Sequence, residues 1–279
     1  MKRYYSYEKI NDRAYRILAD EKNCCELLVG NEKAALIDTG LGFCDLPGIV
    51  REITKLPLLI LNTHNHIDHA GGNALFDQPA YIGKEDIESF DYACGKDMRI
   101  ITVNRYPELM QRLREQEGLN TDEYINMDHH GLIPCNEGDL FDLGGLTIRT
   151  YETPGHSVGS RSYFAEELKY LYTGDAVYPR TLVFGFGSAN RAVHIATLEK
   201  MLSIPFEFIY GNHRSQPMTR ENIKLYLKAA KEVRYEDGYP FPNPIKNGED
   251  ARTCCLPGWT PEDEEKEGYA SVVFSSYNA

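Results

Sequence analysis

The sequence has no excess of positive charge, no apolar run long enough to cross a bilayer, and no Cys-x-x-Cys pair. With 30 lysines and arginines against 42 aspartates and glutamates, its formal charge of −12 removes the sequence-independent attraction to phosphate backbones and anionic lipid. No nucleic acid and no membrane is therefore expected among its partners. Residues 1–9, Met-Lys-Arg-Tyr-Tyr-Ser-Tyr-Glu-Lys, carry positive charge with no apolar stretch behind it, so the expectation is a cytoplasmic chain without an export signal. Seven cysteines, an odd number that includes the vicinal pairs at 24 and 25 and at 254 and 255, do not lay out a secreted disulfide frame. They read as reduced thiols, mostly in the core. What the chain does have is length: 279 residues at 42% hydrophobic content can bury a sizeable α/β core.

The densest chemistry lies in residues 62–72, Asn-Thr-His-Asn-His-Ile-Asp-His-Ala-Gly-Gly, where His64, His66, Asp68 and His69 fall within six residues. This stretch follows the apolar run 58–61, which reads as a buried strand. A loop leaving a strand end is free to curl, so alternate side chains can converge on one point while their neighbours face another. Three more metal-capable residues recur in the same setting, each just past a strand pattern: His156 in Thr-Pro-Gly-His-Ser, Asp175 in Thr-Gly-Asp-Ala, and His213 in Gly-Asn-His-Arg. His129 and His130 have no partner at ligand spacing and read as a polar surface pair.

Around these motifs the patterning alternates between strand and helix. Strands are expected at 14–18, 24–29 and 34–37, an antiparallel meander turned at Gly30-Asn31. A helix at 44–54, a strand at 56–61, a short helix at 73–76 and a strand at 80–82 follow. Residues 84–131 break the rhythm with helical stretches 85–93 and 107–117, a helical insertion suited to a lid, a substrate wall or a dimerisation element. A hairpin at 140–143 and 146–151, strands at 162–164, 170–172 and 206–210, and helices at 191–202 and from a Thr219 cap to 233 complete the repeating part. Residues 238–279 read as a C-terminal extension of irregular, partly acidic surface chain with an edge strand at 271–275. The expected organisation is a single domain over 1–279.

The His-x-His-x-Asp-His cluster, followed in order by Gly-His, Gly-Asp and a last His before a terminal helix, resembles the signature of the metallo-β-lactamase superfamily. The likeness covers about residues 14–233 apart from the insertion, and within the superfamily it is most similar to glyoxalase II and the acyl-homoserine lactonases. It implies an α/β fold, a four-layer αββα sandwich. It also implies two divalent metal ions, one held by His64, His66 and His156, the second by Asp68, His69 and His213, with Asp175 between them. Zn²⁺ is the first choice for these ligands, and Fe and Mn also accept them. Asp38, in an Asp-Thr-Gly triplet, would orient a ligand His from beneath. In one departure, Asn212 stands directly before the last His, where family members commonly have Gly.

Two adjacent cations lower the pKa of a bridging water, so the implied activity is hydrolysis of an ester, thioester, lactone or amide of a small-molecule substrate by a bridging hydroxide. Asp68 would orient that hydroxide and pass its proton to the leaving group, and Tyr178 would donate a hydrogen bond to the developing oxyanion. His66 supports hydrolysis, because diiron flavin members commonly carry Glu there. A mononuclear iron persulfide dioxygenase and a phosphodiesterase on the same fold are the alternatives. Arg161, Arg180, Arg191 and Arg214 lie near the metal loops and are candidates to clamp an anionic substrate. His194 is a candidate to line the pocket, and a homodimer is a further expectation.

Overall fold

A computed structural model describes residues 3–20, 23–185, 187–214, 216–242 and 250–277. Strands β1 (Tyr5–Lys9), β2 (Ala14–Ala19), β3 (Cys24–Val29) and β4 (Ala34–Ile37) form an antiparallel meander. After α1 (Leu46–Ile53), β5 (Leu58–Leu61) joins β4 in parallel. Helix α2 (Ile67–Ala70) and a 3₁₀ turn lead to β6 (Ala80–Gly83). Five helices then intervene: α3 (Lys84–Ile87), α4 (Phe90–Cys94), α5 (Lys96–Arg105), α6 (Pro107–Gln116) and α7 (Thr121–Ile125). They deliver β7 (Leu132–Cys135), which closes a seven-stranded sheet in sequence order.

The second half supplies β8 (Leu140–Asp142), β9 (Thr147–Glu152), β10 (Arg161–Ala165), β11 (Tyr170–Tyr172), β12 (Arg180–Leu182), α8 (Arg191–Met201), β13 (Phe208–Tyr210) and α9 (Arg220–Glu232). Last come β14 (Tyr239–Pro240), β15 (Ala251–Cys255) and β16 (Ser271–Ser275). A five-stranded sheet runs β13-β11-β10-β9-β8, and a four-stranded sheet runs β12-β16-β15-β14.

Three buried clusters mark the seams of a helix–sheet–sheet–helix stack. Leu27, Leu36 and Ile60 face Leu46, Ile49 and Val50 of α1, together with Met110 and Leu113 of α6. Their immediate neighbours Leu28 and Ile37, with Leu61, face the other way, onto Ile148, Tyr163 and Tyr172 of the second sheet. Successive strand residues point to opposite faces, so a strand covered on both sides must be apolar at every position. This is why β4 and β5 read as unbroken hydrophobic runs, whereas β3 is interrupted by Glu26, buried against Arg16. On the far side Leu171 and Ile209 pack against Leu198, Met201, Ile223 and Ala229 of the last two helices. The layering is the α/β sandwich expected from the sequence. No helix among the described residues is long and apolar enough to cross a membrane.

Several elements differ from the expectations. The meander has an extra first strand, β1, and strands also form at 132–135 and 180–182. The stretch 85–93 divides into α3 and α4, and α5 lies in a segment without a clear helical pattern. Helix α5 buries Arg99 rather than an apolar stripe: the guanidinium donates to the Gly71 carbonyl at 2.7 Å and lies 4.9 Å from the Tyr124 ring. Residues 271–275 are no edge strand. β16 runs buried between β12 and β15, and its Val272 and Phe274 belong to the outer helical seam. Part of the C-terminal extension, residues 243–249, lies outside the described residues.

Candidate metal centre

Strand ends bring the donors together. β5 releases the loop of His64 and His66 and then α2, which carries Asp68 and His69. The loops after β9, β11 and β13 carry His156, Asp175 and His213. His66 Nδ1 lies 2.9 Å from His156 Nε2, and His69 Nε2 lies 3.3 Å from His213 Nε2. Asp175 reaches both pairs, with Oδ2 at 3.6 Å from His156 Nε2 and Oδ1 at 3.4 and 3.3 Å from the Nε2 atoms of His69 and His213. Asp68 Oδ2 stands 3.4 Å from His213 Nε2.

Donor atoms from His64, His66 and His156 lie within 4.8 Å of one another, as do those of the His64, His69, Asp175 group and of the Asp68, His69, His213 group. Two donors on one tetrahedral zinc ion are separated by about 3.4 Å, given metal–ligand bonds of about 2.0–2.1 Å. The spacing suits a divalent cation. So does the satisfaction of polar atoms, because His64 Nε2 is buried without a hydrogen-bond partner. Lone pairs left so in a protein interior are costly unless something else takes them.

The two groups of donors differ in charge. Burial, helped by the neighbouring imidazoles, pushes His64 well below its ordinary value and His66 down to about 3, leaving both rings neutral, the form that binds metal. Burial acts the same way on His69 and His213, but there Asp175 and Asp68 outweigh it and both are raised. Those imidazoles in turn hold Asp175 well below, and Asp68 below, the usual carboxylate range against the opposing effect of burial.

Asp38 sits beneath the second group, fully buried and in a left-handed conformation at φ 60°. Its carboxylate accepts Thr63 N at 2.7 Å and Thr63 Oγ1, His69 Nδ1 and Asn212 Nδ2 at 2.8 Å each. A proton on His69 Nδ1 leaves Nε2 as the free donor atom. The departure at Asn212 thus carries a bond, since its amide fixes the carboxylate that orients His69 and also donates to the Cys24 carbonyl at 2.7 Å. Arg16, buried beside Glu26 at 2.6 Å, donates to the carbonyls of Gly211 and Arg214 and so grips the His213 loop from both sides. His156 Nδ1 is paired with the Leu182 carbonyl at 2.9 Å, which leaves its Nε2 facing the other donors.

Above the donors lies a cavity of about 770 Å³. Tyr92, Met98 and Arg105 of the inserted helices line its wall together with Leu182, Phe184 and Phe241. Tyr178 is on this wall, its ring 6.0 Å from that of His213. Burial, reinforced by Glu264, raises its phenol, which therefore stays protonated. Arg180 is on the wall too, but pairs with Glu264 of the C-terminal extension at 2.7 Å.

The other substrate candidates are placed elsewhere. Arg214 lines a second cleft of about 540 Å³ that shares Tyr178 and His213 with the first. His194 is 1% exposed and is not on the cavity wall; it lies behind the His156 loop, where a Cβ on Gly155 would come within 2.7 Å of its Nδ1. Burial lowers it to about 4. Arg161 is spent on Glu85 and Glu152, and Arg191 on the carbonyls of Ala230 and Lys231. Asp86, Arg16 and Arg105 carry no motif and were not legible in the sequence.

A sandwich of this layering with donors at its strand ends defines a family: the model of the metallo-β-lactamase superfamily matches residues 25–213, and the chain belongs to it. It is 27% identical over 190 residues to the acyl-coenzyme A thioesterase MBLAC2 of Bos taurus, which spans 64% of this chain and 66% of that protein. The hydroxyacylglutathione hydrolase GloC of Haemophilus influenzae is 26% identical over 167 residues, 58% of this chain and 69% of that one. The metallo-β-lactamase from Pontibacter korlensis superimposes with a TM-score of 0.57 over 82% of this chain and 99% of its own, and at 14% identity that likeness concerns the fold alone. The family's fold implies divalent metal binding by the His/Asp cluster.

Proposed function

We propose that this chain is a binuclear metal-dependent hydrolase of small acyl thioesters, with Zn²⁺ as the first candidate metal. The observation that carries the reading is the meeting of seven donors from four loops at the floor of a cavity with largely apolar walls. His64, His66 and His156 would hold one ion, Asp68, His69 and His213 the other, and Asp175 reaches both. When bound, a pair of divalent cations supplies hydroxide near neutral pH and polarises the scissile carbonyl.

The chain's own groups do the rest. Asp68, ionised beside the two imidazoles, orients the attacking water through Oδ2, takes its proton and passes it to the leaving group. The Tyr178 phenol, kept protonated, donates to the carbonyl oxygen as negative charge grows there. Tyr92, Met98, Leu182 and Phe184 hold the acyl group and exclude water. Arg105, with Arg180 neutralised by Glu264, offers a positive charge to an anionic end of the substrate.

Two observations favour this reading over the alternatives. A mononuclear iron oxidoreductase has no use for a complete second donor set, and a phosphodiesterase gains little from apolar walls on a chain of charge −12. The names of the thioesterase and hydroxyacylglutathione hydrolase relatives support a thioester over a lactone. The test is thiol release from acyl-coenzyme A and hydroxyacylglutathione thioesters alongside lactones, β-lactams and a phosphodiester. Thioesters should be turned over with the highest kcat/KM, rising with acyl length. Phosphodiester or lactone turnover without thiol release would overturn the assignment.

A further inference from the structure

A further buried carboxylate has no part in the proposed chemistry. Asp86, in the first turn after β6, is 1% exposed. Its Oδ2 accepts the Ser157 hydroxyl at 2.8 Å and Asn65 N at 3.2 Å, and its Oδ1 accepts Gly159 N at 2.9 Å. The main-chain carbonyl of Asp86 accepts Asn65 Nδ2 at 3.0 Å. Asn65 is the residue between His64 and His66, and Ser157 follows His156. One side chain therefore joins the two loops that carry the three-histidine group.

The fit is close. A Cβ on Gly159 would lie 2.4 Å from Asp86 Cγ and Oδ1, so only glycine lets that amide approach the carboxylate. Burial raises the Asp86 carboxyl, while the bonds from Ser157, Gly159 and Asn65 oppose the rise. Such a group persists in an interior only where its acceptors are satisfied. Asn65 is gripped further by the inserted helices, donating to Ser89 Oγ at 2.8 Å while its carbonyl accepts the Cys94 thiol at 3.0 Å.

We propose that Asp86 is a positioning residue for the metal ion held by His64, His66 and His156, fixing the separation of the loops that supply them. It touches none of the three rings. Its effect passes through the backbone of Asn65 and the Ser157 side chain to the 2.9 Å approach of His66 and His156. The inference rests on the binuclear reading, and it accounts for the start of the inserted segment, where α3 locks one metal loop to another. Groups one step behind the ligands typically change metal affinity by about 10- to 100-fold.

The experiment is calorimetric titration of the metal-stripped protein with Zn²⁺, comparing wild type with Asp86→Asn and the milder Ser157→Ala. The expected result is two binding steps in wild type and an affinity at least about tenfold lower for one step in Asp86→Asn, with the other within about twofold. Ser157→Ala should shift the same step in the same direction by less. A merely structural role would weaken both steps together, and that outcome, or two unchanged steps, overturns the proposal. Should Asp86→Asn fail to fold, Ser157→Ala decides by the same criterion. A wild type holding one zinc contradicts the binuclear reading instead, and Asp86 is then judged on the affinity for that one ion.

Discussion

The three-histidine group and the Asp68, His69, His213 group use similar side chains but are held in different ways. In the first, burial keeps His64 and His66 neutral, and the buried carboxylate of Asp86 binds the loops rather than the rings. In the second, carboxylates raise both imidazoles in the metal-free protein, and Asp38 bonds directly to His69. One group is set by the spacing of its loops, the other by a bond to a donor. Substitutions that separate these two devices should therefore have separable effects.

The largest effect is expected where the groups meet. Asp175→Ala removes the donor that reaches both, and losing several kcal/mol of charge stabilisation at about 1.4 kcal/mol per decade should lower kcat/KM roughly a thousandfold. Retention of both metals and near-normal turnover would show that the two groups do not share it. Asp38→Asn comes next. Asn tolerates the left-handed backbone at φ 60° but loses charge and an acceptor, so zinc affinity should fall by about 10- to 100-fold at the step that Asp86→Asn spares. If both substitutions weaken the same step, the proposed division of labour is wrong.

Acid should act on the neutral half. His194, behind His156, is lowered to about 4 by burial, and His66 to about 3. Each takes up protons more readily when the chain unfolds, so the stability it contributes is complete above pH 6.5 and is lost as pH falls toward the lowered value. For His194 the loss is on the order of 3 kcal/mol. Urea unfolding of the metal-stripped protein between pH 7 and pH 4 should reveal this, and His194→Leu should flatten the dependence by a similar amount. An unchanged slope would mean that His194 is not the buried neutral ring described. The smallest effect concerns Arg105 on the cavity wall. An exposed ion pair is worth at most about 1 kcal/mol, so Arg105→Ala should raise KM for acyl-coenzyme A by up to about fivefold and leave an uncharged truncated thioester unaffected.

Much of the donor set was legible because its residues stand one after another at strand ends, where short apolar runs stop and His or Asp follows. Asp38 was legible for the same reason, as the first residue past β4. Asp86 was not. Its partners are two backbone amides and a serine 71 positions away, and no spacing in sequence encodes such a contact. His194 was misplaced because a lone histidine early in a helix gives no hint of which face will be buried. The extension was misread from its acidic run, although Ser-Val-Val-Phe-Ser is as apolar at its centre as β5 and ends up more fully covered. Helix α5 escaped notice because what it buries is Arg99, and the cavity walls it shares with Phe184 and Phe241 come from segments distant in the chain.

The most direct measurement is the metal content of the purified protein by elemental mass spectrometry, on wild type, His156→Ala and His213→Ala. The expected result is two divalent ions per chain in wild type and one in each variant. A wild type that binds a single ion, kept when His213 is replaced, would contradict the paired centre.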